Sequence, residues 1–198
     1  MTLILASQSA GRRALLTQAG IPHQAMAALC DEEIEKAKLK AAGADACTLA
    51  LGLAEAKARS VSAHRPNALI LGCDQTLALD DGRMFDKAPS LAALAEQLAT
   101  LSGSTHSLFA AMAVVRDGAV IWNHVEEARL TMRPLSRDFI TDYLHQEGDD
   151  LLTGVGGYRI EGRGIQLFER VEGNHFTIIG LPLLPLLAFL REVGVAPQ

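Results

Sequence analysis

The stretch that most constrains this chain is residues 67–79, NALILGCDQTLAL. It holds one charged residue, Asp74, in a run that is otherwise apolar or weakly polar. Such a run reads as a buried strand, and strand signals resume after the aspartate in Thr76-Leu77-Ala78-Leu79. The first segment is predicted to end near Asp74, so its carboxylate should emerge at a strand end. Open α/β sheets bind their ligands at such ends. The competing reading is a turn aspartate bonded to nearby backbone, which the continuing strand signal fits poorly.

The rest of the chain alternates strands with helices. Residues 2–6 read as a buried strand, and Ser9 as the N-cap of a helix over about 10–20 with Gly20 as its stop. A short strand is predicted over His23–Leu29, a charged stretch that starts helical follows, and 47–63 is a helix rich in Ala and Leu. DDGRMF reads as a hairpin turn, 90–103 as a helix capped by Ser90, and 105–132 as two extended runs turning at Asp117-Gly118. Ser136 caps a helix over 136–148, and 153–164 is a glycine-rich loop. IQLFERVEG and HFTIIG are predicted to close the sheet as a strand pair, and PLLPLLAFLREVG to form a terminal helix. The class is mixed α/β. At 198 residues, one domain, or one domain in two lobes, is expected.

Composition excludes several functions. A net charge of −5 argues against a general nucleic-acid binder, while leaving room for a local basic pocket that takes a small anion. Cys30, Cys47 and Cys73 are dispersed and odd in number, which is no disulfide framework, and the six histidines lack zinc spacing. The N-terminus does not read as a signal peptide, and the apolar run GLPLLPLLAFL is too short for a bilayer. A cytoplasmic protein without membrane association is expected.

Four constellations bear on chemistry. Ser7-Gln8-Ser9 leads from a strand into a helix, which sets hydroxyls and free N–H groups at one anion-binding spot. Arg12 and Arg13 sit at the positive end of that helix dipole, an unfavourable place that a bound phosphate would offset. The alternative is a surface helix whose arginines reach solvent. Asp74 is the second constellation. It brushes against the DxDxT pattern of aspartyl phosphatases, but Gly72 stands where that chemistry needs its nucleophile, which disfavours covalent catalysis. Third, Lys57, Lys87, Glu32 and Glu33 would suit a magnesium-bound polyphosphate if they converged, although solvated surface lysines are the commoner case. Fourth, GVGGYRIEGRG offers Tyr158 to stack on a base and Glu161 to accept from its edge, or is simply a tight turn.

Taken together these pieces resemble the Maf family, the septum-formation-inhibitor family of nucleoside triphosphate pyrophosphatases. LASQSAGRR is similar to the family's LASxSxRR, with Ala10 in place of proline, and Asp31-Glu32 corresponds to its Asp-Glu pair. AEAKA points to Lys57 and GCDQT to Asp74. Lys87 with Pro89 resembles its Gly-Lys-Pro, with Asp86 for the glycine and one residue inserted, and LSGSTHS resembles LSGKxH, with Ser104 for lysine. The matches run nearly end to end in the family's order.

The resemblance implies an elongated mixed sheet with flanking helices, an inosine-triphosphatase-like fold in which one Maf-type domain over 1–198 forms two lobes around a cleft. It implies hydrolysis of a nucleoside triphosphate between the α- and β-phosphates, with a divalent cation, Mg2+ or Mn2+. Asp74 would be the general base, Glu32 and Asp74 would hold the metal, and Ser7, Arg12, Arg13, Lys57 and Lys87 would bind phosphates. The substrate is a free nucleotide, and a homodimer is left open. Gly11, Gln75 and Glu161 stand at positions where family members differ by substrate. Gln75 and Glu161, with Arg159, resemble the 7-methyl-GTP type, whereas Gly11 lacks the large residue of that type and Tyr158 resembles the dTTP/UTP type. The alternatives are a dTTP/UTP pyrophosphatase of the same family, a nucleotide-binding regulator of septum formation without catalysis, and a phosphomonoesterase that would release phosphate rather than pyrophosphate.

Overall fold

Leu3–Ala6, four apolar residues in a row, form strand β1 in a computed structural model that describes residues 2–197. The chain continues through α1 (Ala10–Gln18), β2 (Gln24–Met26), α2 (Glu32–Ala41), α3 (Ala46–Ser62) and β3 (Leu69–Leu79). β1 pairs in parallel with both β2 and β3, with Leu5 opposite Ala25 on one side and Leu71 on the other. The chain therefore leaves β1 toward one edge through α1 and returns past it to the other side through α2 and α3. This reversal of strand order beside β1 is the place where such sheets bind ligands.

Beyond β3 come β4 (Met84–Phe85), α4 (Leu91–Leu101), β5 (Thr105–Arg116), β6 (Ala119–Met132), α5 (Arg137–Glu147), β7 (Phe168–Glu172), α6 (His175–Ile179) and α7 (Leu183–Glu192). The sheet order is β2-β1-β3-β5-β6-β7, with β4 added to β3. β5 and β6 meet at Asp117 (φ 51°) and Gly118 (φ 81°), the two left-handed positions that a tight type I′ hairpin requires. The chain falls into two compact units. One holds the chain up to Gln75, Phe109–Glu126 and the segment from Asn174 on, and the other holds Thr76–Leu108 and Glu127–Gly173.

In the first unit the strands alternate sides with period two. Leu3 and Leu5 of β1 and Leu69, Leu71 and Cys73 of β3 pack with Leu15 and Leu16 of α1 and Leu186 and Leu190 of α7. Ile4, Ala6 and Ile70 point the other way, against Ala58 and Val61 of α3. Cover on both faces is why residues 69–73 read as continuously apolar. Gly72 has a packing reason as well. A Cβ there would fall 2.0 Å from the Ala54 carbonyl oxygen, so glycine lets the α3 backbone press on β3.

Two sequence expectations are corrected. β3 does not end near Asp74 but runs unbroken to Leu79, because β4 takes over as its partner, pairing Leu77 with Phe85. The parallel ladder with β1 does stop just before, at Ala6 opposite Gly72. HFTIIG is helix α6, not a closing strand, so only Phe168–Glu172 pairs with β6. The Asn174 side chain accepts from the Phe176 N–H, and Gly180 at φ 101° donates back to Phe176 and Thr177. Those two caps outweigh the strand propensity of Phe, Thr and Ile.

Candidate active site

The end of β1 and the start of α1 form a polar corner. Ser9 is the N-cap, its Oγ accepting from the Arg12 N–H at 3.3 Å. The Arg12 guanidinium then explains its place at the positive end of the helix. Nε donates to the Gly180 carbonyl at 2.8 Å, and Nη1 donates to the Cys73 carbonyl at 3.0 Å and to Ser7 Oγ at 3.4 Å. Arg12 thus ties α1, β3 and the end of α6 together. Arg13 is exposed, has no partner among the described residues, and lines a cavity of about 350 Å3 with Ser7, Gln8, Ala25, Met26 and Ala27. The arginine pair divides its work, one member fixing the corner and the other facing open space. Gly11 lies against α6, where a Cβ would sit 3.2 Å from Ile179 Cγ2.

Two positions past the last β1–β3 pair, β3 turns Asp74 toward α3. The inward stripe of α3 is Ala50, Ala54, Ala58 and Val61, and Lys57 falls within it. Its Nζ lies 2.5 Å from Asp74 Oδ1 and 2.9 Å from Glu32 Oε2 at the start of α2. Lys57 and Asp74 are both buried. Burial pushes the Asp74 carboxyl above the usual carboxylate range, against the opposing pull of Lys57 and Arg12. Burial would lower the Lys57 ammonium, but Asp74 and Glu32 hold it above its ordinary value. The proton therefore belongs to Lys57, and Asp74 is a base whose affinity for a proton exceeds that of a surface aspartate. Cys73 next to it is inert as a nucleophile, because full burial raises its thiol to about 11.

Gln75 points to the opposite face. Its Nε2 donates to the carbonyls of Thr177 at 2.9 Å and Ile178 at 3.1 Å, which commits both amide hydrogens and leaves Oε1 as its free, accepting atom. The buried Thr177 hydroxyl in turn donates to Glu126 at 2.5 Å. Glu126, Thr177 and the Gly180 carbonyl are absent from the sequence-level candidates. The capping pair Asn174 and Gly180 around five residues is the signal that could have exposed α6 and, through it, these contacts.

The second unit holds the other candidates. Lys87 and Glu161 are exposed and have no partner among the described residues. Arg159 is exposed too, 3.4 Å from Asp150 and 3.8 Å from Glu147. Tyr158, expected to stack on a base, has its hydroxyl 2.7 Å from His106 Nε2 and its ring edge-on to Phe168 at 4.9 Å.

The donor chemistry suits a hard divalent ion. Two carboxylates, Asp74 and Glu32, converge on one cation position, now taken by the Lys57 ammonium. Among the described residues no group of three or more His, Cys, Asp or Glu side chains forms a metal site. One or two carboxylates completed by substrate phosphates is the usual way magnesium is held.

Residues 2–193 match the family described as Maf-like protein. The chain is 50% identical over 198 residues, all of both chains, to a nucleoside triphosphate pyrophosphatase of Sphingopyxis alaskensis. It is 52% identical to a 7-methyl-GTP pyrophosphatase of Rhizobium etli, across 97% of this chain and 96% of that one. A solved nucleoside-triphosphatase, dITP/XTP pyrophosphatase, of Mycobacterium abscessus is similar at a TM-score of 0.48 and 18% identity, with 98% of each chain covered.

Proposed function

The chain belongs to the Maf family, and from that premise we propose that it is a nucleoside triphosphate pyrophosphatase acting on 7-methyl-GTP. Water adds to phosphorus at the α–β junction, the bridging P–O bond breaks, and a nucleoside monophosphate and pyrophosphate leave. The observation that carries this reading is the pairing of the buried Lys57 ammonium with the buried Asp74 carboxylate and with the exposed Glu32 at the start of α2.

Asp74 takes the proton from the attacking water. A carboxylate with a raised pKa is a better base near neutrality than an ordinary one, provided it stays ionised. Activity should therefore fail on acidification through the Asp74 pKa, which lies above the reference aspartate value of about 3.9. Asp74 and Glu32 would hold the divalent ion, which, when bound, neutralises charge on the polyphosphate. Arg13, facing its cavity without a partner, and the N–H groups at the start of α1 take phosphate oxygens. Lys87 and Lys57 add positive charge that the transition state needs more than the ground state does.

The base preference rests on Gln75 and Glu161. Gln75 offers only an acceptor, because α6 holds both its amide hydrogens. Glu161 is an exposed carboxylate. A 7-methylguanine carries positive ring charge and donors on its edge, which match two acceptors better than uracil or thymine does. A cytoplasmic location fits an enzyme that acts on free nucleotides. Among the described residues no helix is long and apolar enough to cross a membrane.

The test is a panel of nucleoside triphosphates with Mg2+, with pyrophosphate and orthophosphate measured separately. The expected result is pyrophosphate as the product, with 7-methyl-GTP turned over best. Orthophosphate alone would point to stepwise phosphate removal and refute the cleavage site. A preference for dTTP or UTP would refute the base assignment and leave the chemistry standing.

A further inference from the structure

His106 on β5 is fully buried, yet its side chain makes one hydrogen bond, between Nε2 and the Tyr158 hydroxyl at 2.7 Å. Its Nδ1 has no partner among the described residues. Burying an imidazole for a single bond is costly, and an apolar ring would fill the site more cheaply. What sets this histidine apart from a core residue is where its bond leads. Tyr158 immediately precedes a tight turn in which the Gly162 N–H donates to the Arg159 carbonyl at 3.1 Å, so Glu161 occupies the third position of that turn.

Three further contacts of the segment serve the same end. The buried Tyr143 donates its hydroxyl to the Gly157 carbonyl at 3.2 Å, just before Tyr158. Gly157 at φ 66° packs so closely that a Cβ would lie 2.2 Å from Leu94 Cδ1. On the far side of the turn, Gly164 lies against the Arg159 backbone, where a Cβ would be 2.5 Å from its carbonyl oxygen. The segment is pinned before and after the turn, and Glu161 stands out at its tip. Phe168, at the start of β7, closes the aromatic cluster 6.0 Å from the His106 ring.

We infer that His106 is a positioning residue for substrate choice: through the Tyr158 hydroxyl it fixes the 159–162 turn and so sets where the Glu161 carboxylate meets the base. This rests on the reading of Glu161 as a base contact. His106 touches no substrate atom. Its effect should appear in discrimination between bases rather than in the phosphate chemistry.

The experiment compares Tyr158→Phe, which removes one oxygen, with His106→Leu and His106→Gln, the last keeping an amide that can donate or accept at a similar reach. The first readout is the ratio of kcat/KM for the best and worst nucleotides of the panel. Tyr158→Phe and His106→Leu should cut that ratio by about tenfold, the value of one hydrogen bond, mainly through KM of the best substrate. His106→Gln should keep most of it. The second readout is amide hydrogen exchange over 156–164, which should quicken in Tyr158→Phe. A ratio that Tyr158→Phe leaves intact, an equal loss in His106→Gln and His106→Leu, or unchanged exchange would each overturn the inference. Wild-type protein that turns over no nucleotide would instead bring down the functional reading, while exchange would still report whether the anchor holds the turn.

Discussion

The two units each bury a polar cluster, and they solve the same physical problem in opposite ways. In the first, Lys57 and Asp74 are buried as an ion pair, and the low dielectric is met by bringing opposite charges to 2.5 Å, with the exposed Glu32 adding a second carboxylate 2.9 Å from the ammonium. In the second, His106 and Tyr158 stay neutral. Burial lowers His106 to about 4 and raises the Tyr158 hydroxyl, so neither ionises near neutrality. The charged pair offers a carboxylate to a proton or a metal, and the neutral pair, enclosed and bonded to each other, is suited to holding geometry. The difference teaches that burial alone does not mark a catalytic group. A compensating charge nearby does, and it separates the residues proposed to do chemistry from those proposed to position it.

The contrast can be broken at several points. The largest expected effect is on catalysis. Asp74→Asn keeps the shape but removes the base, and should lower kcat by about 10²–10⁴-fold in a steady-state assay. Next, Lys57→Met removes the cation from the first cluster and leaves Asp74 buried and unpaired. It should cost about 3–5 kcal/mol in urea unfolding, more than a neutral cluster could show.

The third test is one of sign. Between pH 6.5 and about 4 the unfolded chain protonates His106 and the native one does not. Stability from this residue is therefore complete above pH 6.5 and is lost as pH falls toward 4, by about 3 kcal/mol in all. The measurement is unfolding free energy against pH, and His106→Gln should flatten this part of the curve. The smallest effect is at Gly11. Gly11→Ala places its Cβ 3.2 Å from Ile179 Cγ2, a crowding that opposes the helix propensity alanine adds, and should change stability by less than about 1 kcal/mol in thermal unfolding.

Much of the first cluster was legible in the sequence. Asp74 stood out as the one charged residue in an apolar strand, whereas Lys57 was marked only by the family resemblance, because a lysine on a helix reads first as solvated. Ser9, Ser90 and Ser136 fixed their helix starts, since a hydroxyl at an N-cap acts locally. Asp117-Gly118 fixed the hairpin for the same reason. What stayed hidden was long-range or carried by backbone. The carbonyls that hold Arg12 and Gln75 belong to Cys73, Gly180, Thr177 and Ile178, and a carbonyl leaves no mark in residue type. His106 and Tyr158 lie 52 residues apart, so only the sheet order and the return of the loop bring them together. α6 was misread because its five residues favour strands one by one, while the caps that decide the matter lie outside them.

The most direct measurement of the central claim is product stoichiometry with wild-type protein and Asp74→Asn side by side, using 7-methyl-GTP and Mg2+. The wild type should release one pyrophosphate for each monophosphate formed, and Asp74→Asn, still folded by circular dichroism, should release almost none. Pyrophosphate release by Asp74→Asn at the wild-type rate would contradict the account, because the base would then lie elsewhere than in the Lys57–Asp74–Glu32 cluster.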